Sequence, residues 1–111
     1  MLYFNRAVSK QELKDYRGAV YDYTKGIELD PDLPFVYLSR GALKLELEDY
    51  EGAIADFTKE IENNPNSSQT FFIRGISKIV INQKDSGCLD LSKAGELGHI
   101  YAYETMADHC N

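Results

Sequence analysis

No run of apolar residues in this sequence is long enough to span a bilayer. The strongest, 71–73 and 79–81, are far short of the roughly 20 residues a spanning helix needs, so membrane insertion is not expected. No basic, then apolar, then small-residue leader opens the chain, so no signal peptide is expected. Met1 falls almost inside the first helical stretch, which suggests a piece of something longer. The 12 Lys and Arg are outnumbered by 18 Asp and Glu, giving a net charge of −6, and are scattered rather than striped. That excludes the clustered cations with which a protein displaces counterions from nucleic acid. His99 and His109 are the only imidazoles, and no Ser, Cys and His arrangement with an orienting third group follows from the spacing. No G-x-G-x-x-G or phosphate-loop pattern occurs, so neither catalysis nor a cofactor is expected. Two cysteines do not make a disulfide framework and leave the redox compartment open. The reading is of a soluble protein, cytoplasmic by default.

What the chain does contain is a repeat. Tyr37, Arg40, Lys44, Glu46, Asp49, Tyr50, Gly52, Ala53, Asp56, Thr58 and Lys59 each lie 34 residues after the same residue type, from Tyr3, Arg6, Lys10, Glu12 and Asp15 to Lys25. A further step of 34 carries Arg40, Gly41, Lys44, Asp56 and Lys59 onto Arg74, Gly75, Lys78, Asp90 and Lys93. A period of this length marks a stack of supersecondary units, each of which buries its apolar face only against its neighbours.

Within each unit the pattern is of two helices and a turn. The expected helices cover 2–13, 19–29, about 33–47, 51–62, 69–81 and 87–97, with turns at 15–18, 48–50 and 83–86. Pro31 and Pro65 end the second helices, because a proline ring cannot continue a helix. Asp32 is the expected N-cap of the next helix, with Pro34 in its first turn, and 66–68 offer capping oxygens for the fifth. Gly98 suits a left-handed C-cap. A last helix over 99–109, outside the repeat, places Ile100, Tyr103, Ala107 and Cys110 on one face as a lid over the stack. The β-branched cluster at 76–81 is assigned to helix because it lies in register with 38–47.

Small residues in each helix, an aromatic in the second and a terminal proline fill this period: Tyr37, Gly41, Ala53, Phe57 and Pro65 in the second unit, Tyr3, Ala7, Ala19, Tyr23 and Pro31 in the first. The pattern resembles the tetratricopeptide repeat. Phe71, Gly75, Gly87 and Leu91 fill a degenerate third unit, with His99 where proline would stand. The resemblance implies an all-α, right-handed superhelical stack forming one domain: repeats over about 1–31, 32–65 and 66–98, then a capping helix over about 99–110. It also implies a concave groove lined by first helices, at Phe4, Asn5 and Val8, then Phe35, Leu38, Ser39, Ala42 and Leu45, then Phe72, Ile76 and Ile79. The same spacing describes a buried helix face, and the helix from about 33 to 47 is apolar around most of its circumference, which favours burial. One branch of the family grips carboxylate tails of chaperones with Lys, Asn and Arg. Here Asn5 is kept, but Phe35 and Ser39 stand where two basic residues would follow, so that clamp is not expected.

All copies depart from the family in carrying Arg6, Arg40 and Arg74 in the first helix. Counted outward from the hairpin turn, each lies level with Asp22, Asp56 or Asp90 of the second. A ladder of bidentate ion pairs is expected, structural in role. The same counting about 98–99 brings Cys88 beside Cys110, either as a disulfide in an oxidising compartment or as a reduced buried pair. With His99 and His109 these cysteines fit no zinc-ligand spacing. The resemblance implies a non-enzymatic module that binds a protein or peptide; the alternative is a self-association element, a homo-oligomer formed through an uncapped repeat edge.

Overall fold

The computed structural model describes residues 2–111, so the reading placed on Met1 lies outside it. Seven helices follow one another: α1 (Leu2–Glu12), α2 (Tyr16–Leu29), α3 (Val36–Glu46), α4 (Tyr50–Asn63), α5 (Ser68–Val80), α6 (Lys84–Glu96) and α7 (Ala102–His109). Among the described residues there is no strand, and 76–80 is helical as register required. Each helix packs chiefly on its neighbours in sequence, so α1/α2, α3/α4 and α5/α6 are hairpins in a stack that α7 closes. No described helix is long and apolar enough to cross a membrane.

The turns inside the hairpins are tighter than expected. Lys14, Glu48 and Asn82, spaced by 34 residues, take left-handed φ values of 63°, 60° and 66°, and the next helix begins two residues later. Asp15 and Asp49 thus cap α2 and α4 by accepting from Gly18 N and Gly52 N at 3.1 and 3.0 Å. The helices expected from 19 and 51 start at Tyr16 and Tyr50 because these carboxylates satisfy the free N–H groups of the first turn. For the same reason of turn geometry α6 starts at Lys84 rather than 87.

Asp32 does not cap α3. The helix begins at Val36 after Phe35, which is left-handed at φ 67° and offers no side-chain cap, and Pro34 lies outside it. Asp32 instead closes a local turn, its N–H donating to Asp30 Oδ1 at 3.3 Å. Ser67 does cap α5, accepting from Thr70 N. Gly98 has the left-handed φ of 99° expected of it.

The expected lid needs correction. The last helix starts at Ala102, because His99 and Tyr101 are held in a turn by His99 N–H donating to Ala94 O and Tyr101 N–H donating to His99 Nδ1. Ile100, Tyr103 and Ala107 face outward, and the fully buried contact is Ala102. Tyr103 still rests on the stack: a Cβ at Gly95 would meet its ring, so the glycine is what lets the tyrosine lie flat.

Small residues set the helix crossings. Ala7 and Ala19 in the first hairpin, Gly41 and Ala53 in the second, and Gly75 and Gly87 in the third are buried. A Cβ on Gly75 would come within 2.8 Å of Gly87 O, and one on Gly87 within 2.6 Å of Gly75 O, so in the third hairpin the two backbones touch. Aromatic and aliphatic side chains fill the space beside the crossings, with Phe57, Leu43 and Leu91 fully buried.

Candidate functional site

The helices α1, α3 and α5 each carry two basic residues, four apart, and all six point toward an aspartate of the following helix. Arg40 Nε and Nη2 donate to Asp56 Oδ2 and Oδ1 at 2.9 and 2.6 Å, and Lys44 Nζ lies 3.2 Å from Oδ2. Arg74 makes the same fork to Asp90 at 2.7 Å twice, with Lys78 Nζ at 2.9 Å. Each arginine also reaches back to the preceding hairpin: Arg40 Nη1 donates to Thr24 Oγ1 at 3.2 Å and Arg74 Nη1 to Thr58 Oγ1 at 3.1 Å. Tyr37 and Phe71 lie under the two guanidinium groups. The Asp56 contact holds the Arg40 pKa above its ordinary value, outweighing the opposite effect of burial.

The first rung differs. Arg6 Nε is 3.6 Å from Asp22 Oδ2, and the nearest cation to this fully buried carboxylate is Lys10 Nζ at 3.0 Å. Arg6 is about half exposed, where Arg40 and Arg74 are shielded by a preceding hairpin. The expected pairing of Arg6 with Asp22 is thus a close approach without the bidentate fork. The lysines and Thr24 and Thr58 were not assigned to the ladder from sequence, although their spacing of 34 residues was the signal for them.

The expected groove residues fall into four situations. Phe4 belongs to the core rather than a groove: Gly26 opposite it has no Cβ, and the ring fills that space beside Tyr23. Its counterpart Phe72 faces Ala94 in register, stays half-buried, and is covered by the His99 ring, stacked at 3.9 Å. Asn5 and Val8 are exposed, and Leu38, Ser39, Ala42, Leu45, Ile76 and Ile79 are half-buried. Phe35 lies apart from the rest, exposed at the rim of a cleft with Leu33 and Glu60 between the start of α3 and the end of α4.

Glu60 was missed. It stands in register with Gly26 and Ala94, yet is a buried carboxylate. Burial raises its pKa above the usual carboxylate range, partly offset by the nearby backbone N–H of Leu38. Glu60 thus approaches the first turn of α3 from α4. A carboxylate where the register has only small residues was the available signal.

Between α1 and α3 a cleft of about 440 Å³ opens, bounded by Val8, Glu12, Tyr16, Ala42 and Glu46 with Leu43 at its floor. Cys88 and Cys110 are joined by a disulfide that ties α6 to the residue after α7, with their Cα atoms 5.9 Å apart. Among the described residues no group of three or more metal-ligating side chains comes together.

Residues 2–33 match the family description "Tetratricopeptide repeat". In structure, the first tetratricopeptide domain of Spaghetti (RPAP3) bound to the HSP90 peptide SRMEEVD superposes with a TM-score of 0.88 at 18% identity, over 98% of this chain and 88% of that one. The second such domain of human RPAP3, in complex with the HSP70 peptide SGPTIEEVD, gives 0.88 at 22% identity over 98% and 92%. The Arabidopsis OM64 tetratricopeptide domain gives 0.87 at 21% identity, again over 98% and 92%. No curated protein sequence matches the chain significantly. The family model thus covers the first hairpin, α1 and α2, and the whole chain shares the fold of tetratricopeptide domains.

Proposed function

We propose that the protein is a non-enzymatic interaction module that binds a segment of a protein partner along the concave face formed by α1, α3 and α5. The observation that carries this reading is the state of Val8, Leu38, Ala42, Phe72, Ile76 and Ile79. They are apolar, recur at one register position after another, and are exposed or half-buried. An apolar face of this kind is a docking surface for an extended or helical peptide. Similar folds with bound peptides support it. A photo-crosslinking side chain at Ala42 tests the reading: partner capture there, and none from the same probe at Tyr21 on α2, is expected. Equal capture at both positions would sink it.

A second reading has its own observation. Val36 and Thr70, and Leu43 and Ser77, are buried in α3 and α5, whereas their register counterparts Leu2 and Ser9 in α1 are exposed. With the half-exposed Arg6 they make an edge to which a second copy of the chain can add, an open repeat interface. Sedimentation across a concentration range decides it, a monomer throughout being the outcome against.

A further inference from the structure

The ladder has a consequence for what the concave face can attract. Arg6, Lys10, Arg40, Lys44, Arg74 and Lys78 are all the basic residues of α1, α3 and α5, and every one lies against Asp22, Asp56 or Asp90. The helices that line the face therefore hold their cations in the ladder, two to each aspartate. Glu12 and Glu46, separated by one period and both exposed, have no ion-pair partner among the described residues. Both border the α1/α3 cleft, each one helical turn beyond Val8 or Ala42. The cleft is thus an apolar surface bordered by two carboxylates without an ion-pair partner, on a chain whose net charge is −6.

We infer that this cleft selects a peptide segment that pairs an aliphatic side chain with flanking Lys or Arg, and rejects acidic segments. The inference rests on the concave-face reading and gives it a partner class. An aliphatic side chain entering between Val8 and Ala42 removes apolar surface from water. A cation one or two residues away then falls near Glu12 or Glu46, where charge complementarity favours it and steers the encounter. An acidic tail such as the SRMEEVD or SGPTIEEVD peptides bound by the similar domains meets like charge at Glu12 and Glu46, and apart from the half-exposed Arg6 the cations of these helices are held against the ladder aspartates. Like charges placed together are the element that discriminates against the wrong partner.

The test uses three acetylated, amidated peptides of equal length: Leu alternating with Lys, Leu alternating with Glu, and Ser alternating with Lys. Backbone amide shifts of the whole chain are followed during titration at low salt. The Leu and Lys peptide is expected to shift the amides around Val8, Ala42 and Glu46, and the other two to do so weakly or not at all. E12Q/E46Q is expected to weaken that binding by about three- to tenfold, the scale of two exposed ion pairs, and E12K/E46K to transfer the preference to the Leu and Glu peptide. Added salt is expected to erode the preference. Shifts at the same amides from the Leu and Glu peptide on the unaltered protein would overturn the charge selection while leaving concave-face binding intact. Shifts confined to α2, α4 or α6, or none with any peptide, would overturn the concave-face reading and this inference with it.

Discussion

Arg40 and Asp56, sixteen residues apart in sequence, meet in a two-bond fork at 2.9 and 2.6 Å across the α3/α4 hairpin. Its other donor is held by Thr24 of the preceding hairpin. One side chain thus closes its own hairpin and docks it on the one before, so the energy of the pair lies at the joint between units.

That placement makes the rungs unequal. Asp56→Ala leaves the Arg40 guanidinium, about 16% exposed, without a carboxylate, and is expected to cost about 3–5 kcal/mol. Asp22→Asn is expected to cost less, because the two cations it would leave, Arg6 and Lys10, are about 48% and 31% exposed and keep their contact with water. Urea unfolding of the two variants compares them, and equal losses would remove the distinction between the rungs.

Gly75→Ala is expected to destabilise by about 1–3 kcal/mol, although alanine is the better helix former by about 1 kcal/mol. The reason is the carbonyl of Gly87, a backbone atom that cannot swing aside from the added methyl group. Thermal unfolding measures it. A stabilised variant would mean that propensity, and not the crossing, governs that site.

The same contrast shows what a sequence can reveal. Period, hairpins and crossings were legible because they rest on residues repeated at 34, such as Arg40 and Arg74 or Gly41 and Gly75. Phe4 and Phe72 were not separable, since one fills the space left by the missing Cβ of Gly26 and the other is covered by the His99 ring. The start of α3 was misjudged because Asp32 turns back onto Asp30 and Phe35 takes a left-handed conformation just before the helix. The start of α7 was hidden because His99 folds its ring back onto Phe72.

Glu60 gives a stability that depends on pH. Its pKa is raised in the folded protein, mainly by burial, so the folded state holds the proton more tightly than the unfolded state. Well below the usual carboxylate range both states are protonated and the residue carries no penalty. As pH rises through that range the unfolded state ionises first and stability falls, until the raised pKa is passed and the penalty is complete. Glu60→Gln is therefore expected to match the parent near pH 3 and to exceed it in stability near pH 7. Denaturation at the two pH values checks this. A variant weaker than the parent at neutral pH would show that the attraction of the ionised carboxylate to the Leu38 N–H outweighs its desolvation.

Reduction of Cys88 and Cys110 is expected to loosen the last helix selectively. The bridge spans 22 residues in sequence, a loop whose closure contributes on the order of 3 kcal/mol by chain entropy. Without it α7 has eight residues, one fully buried side chain in Ala102, and the rest of Tyr103 on Gly95. In a stack each unit depends mainly on its neighbour, so loss at the end need not spread. Hydrogen exchange with and without a dithiol should show lost protection over 102–109 and unchanged protection in α3 and α4. Thiol counting on the denatured, unreduced protein should find none. Unchanged exchange in α7 after full reduction would mean that packing alone secures the lid and that the bridge only records the proximity of the two cysteines.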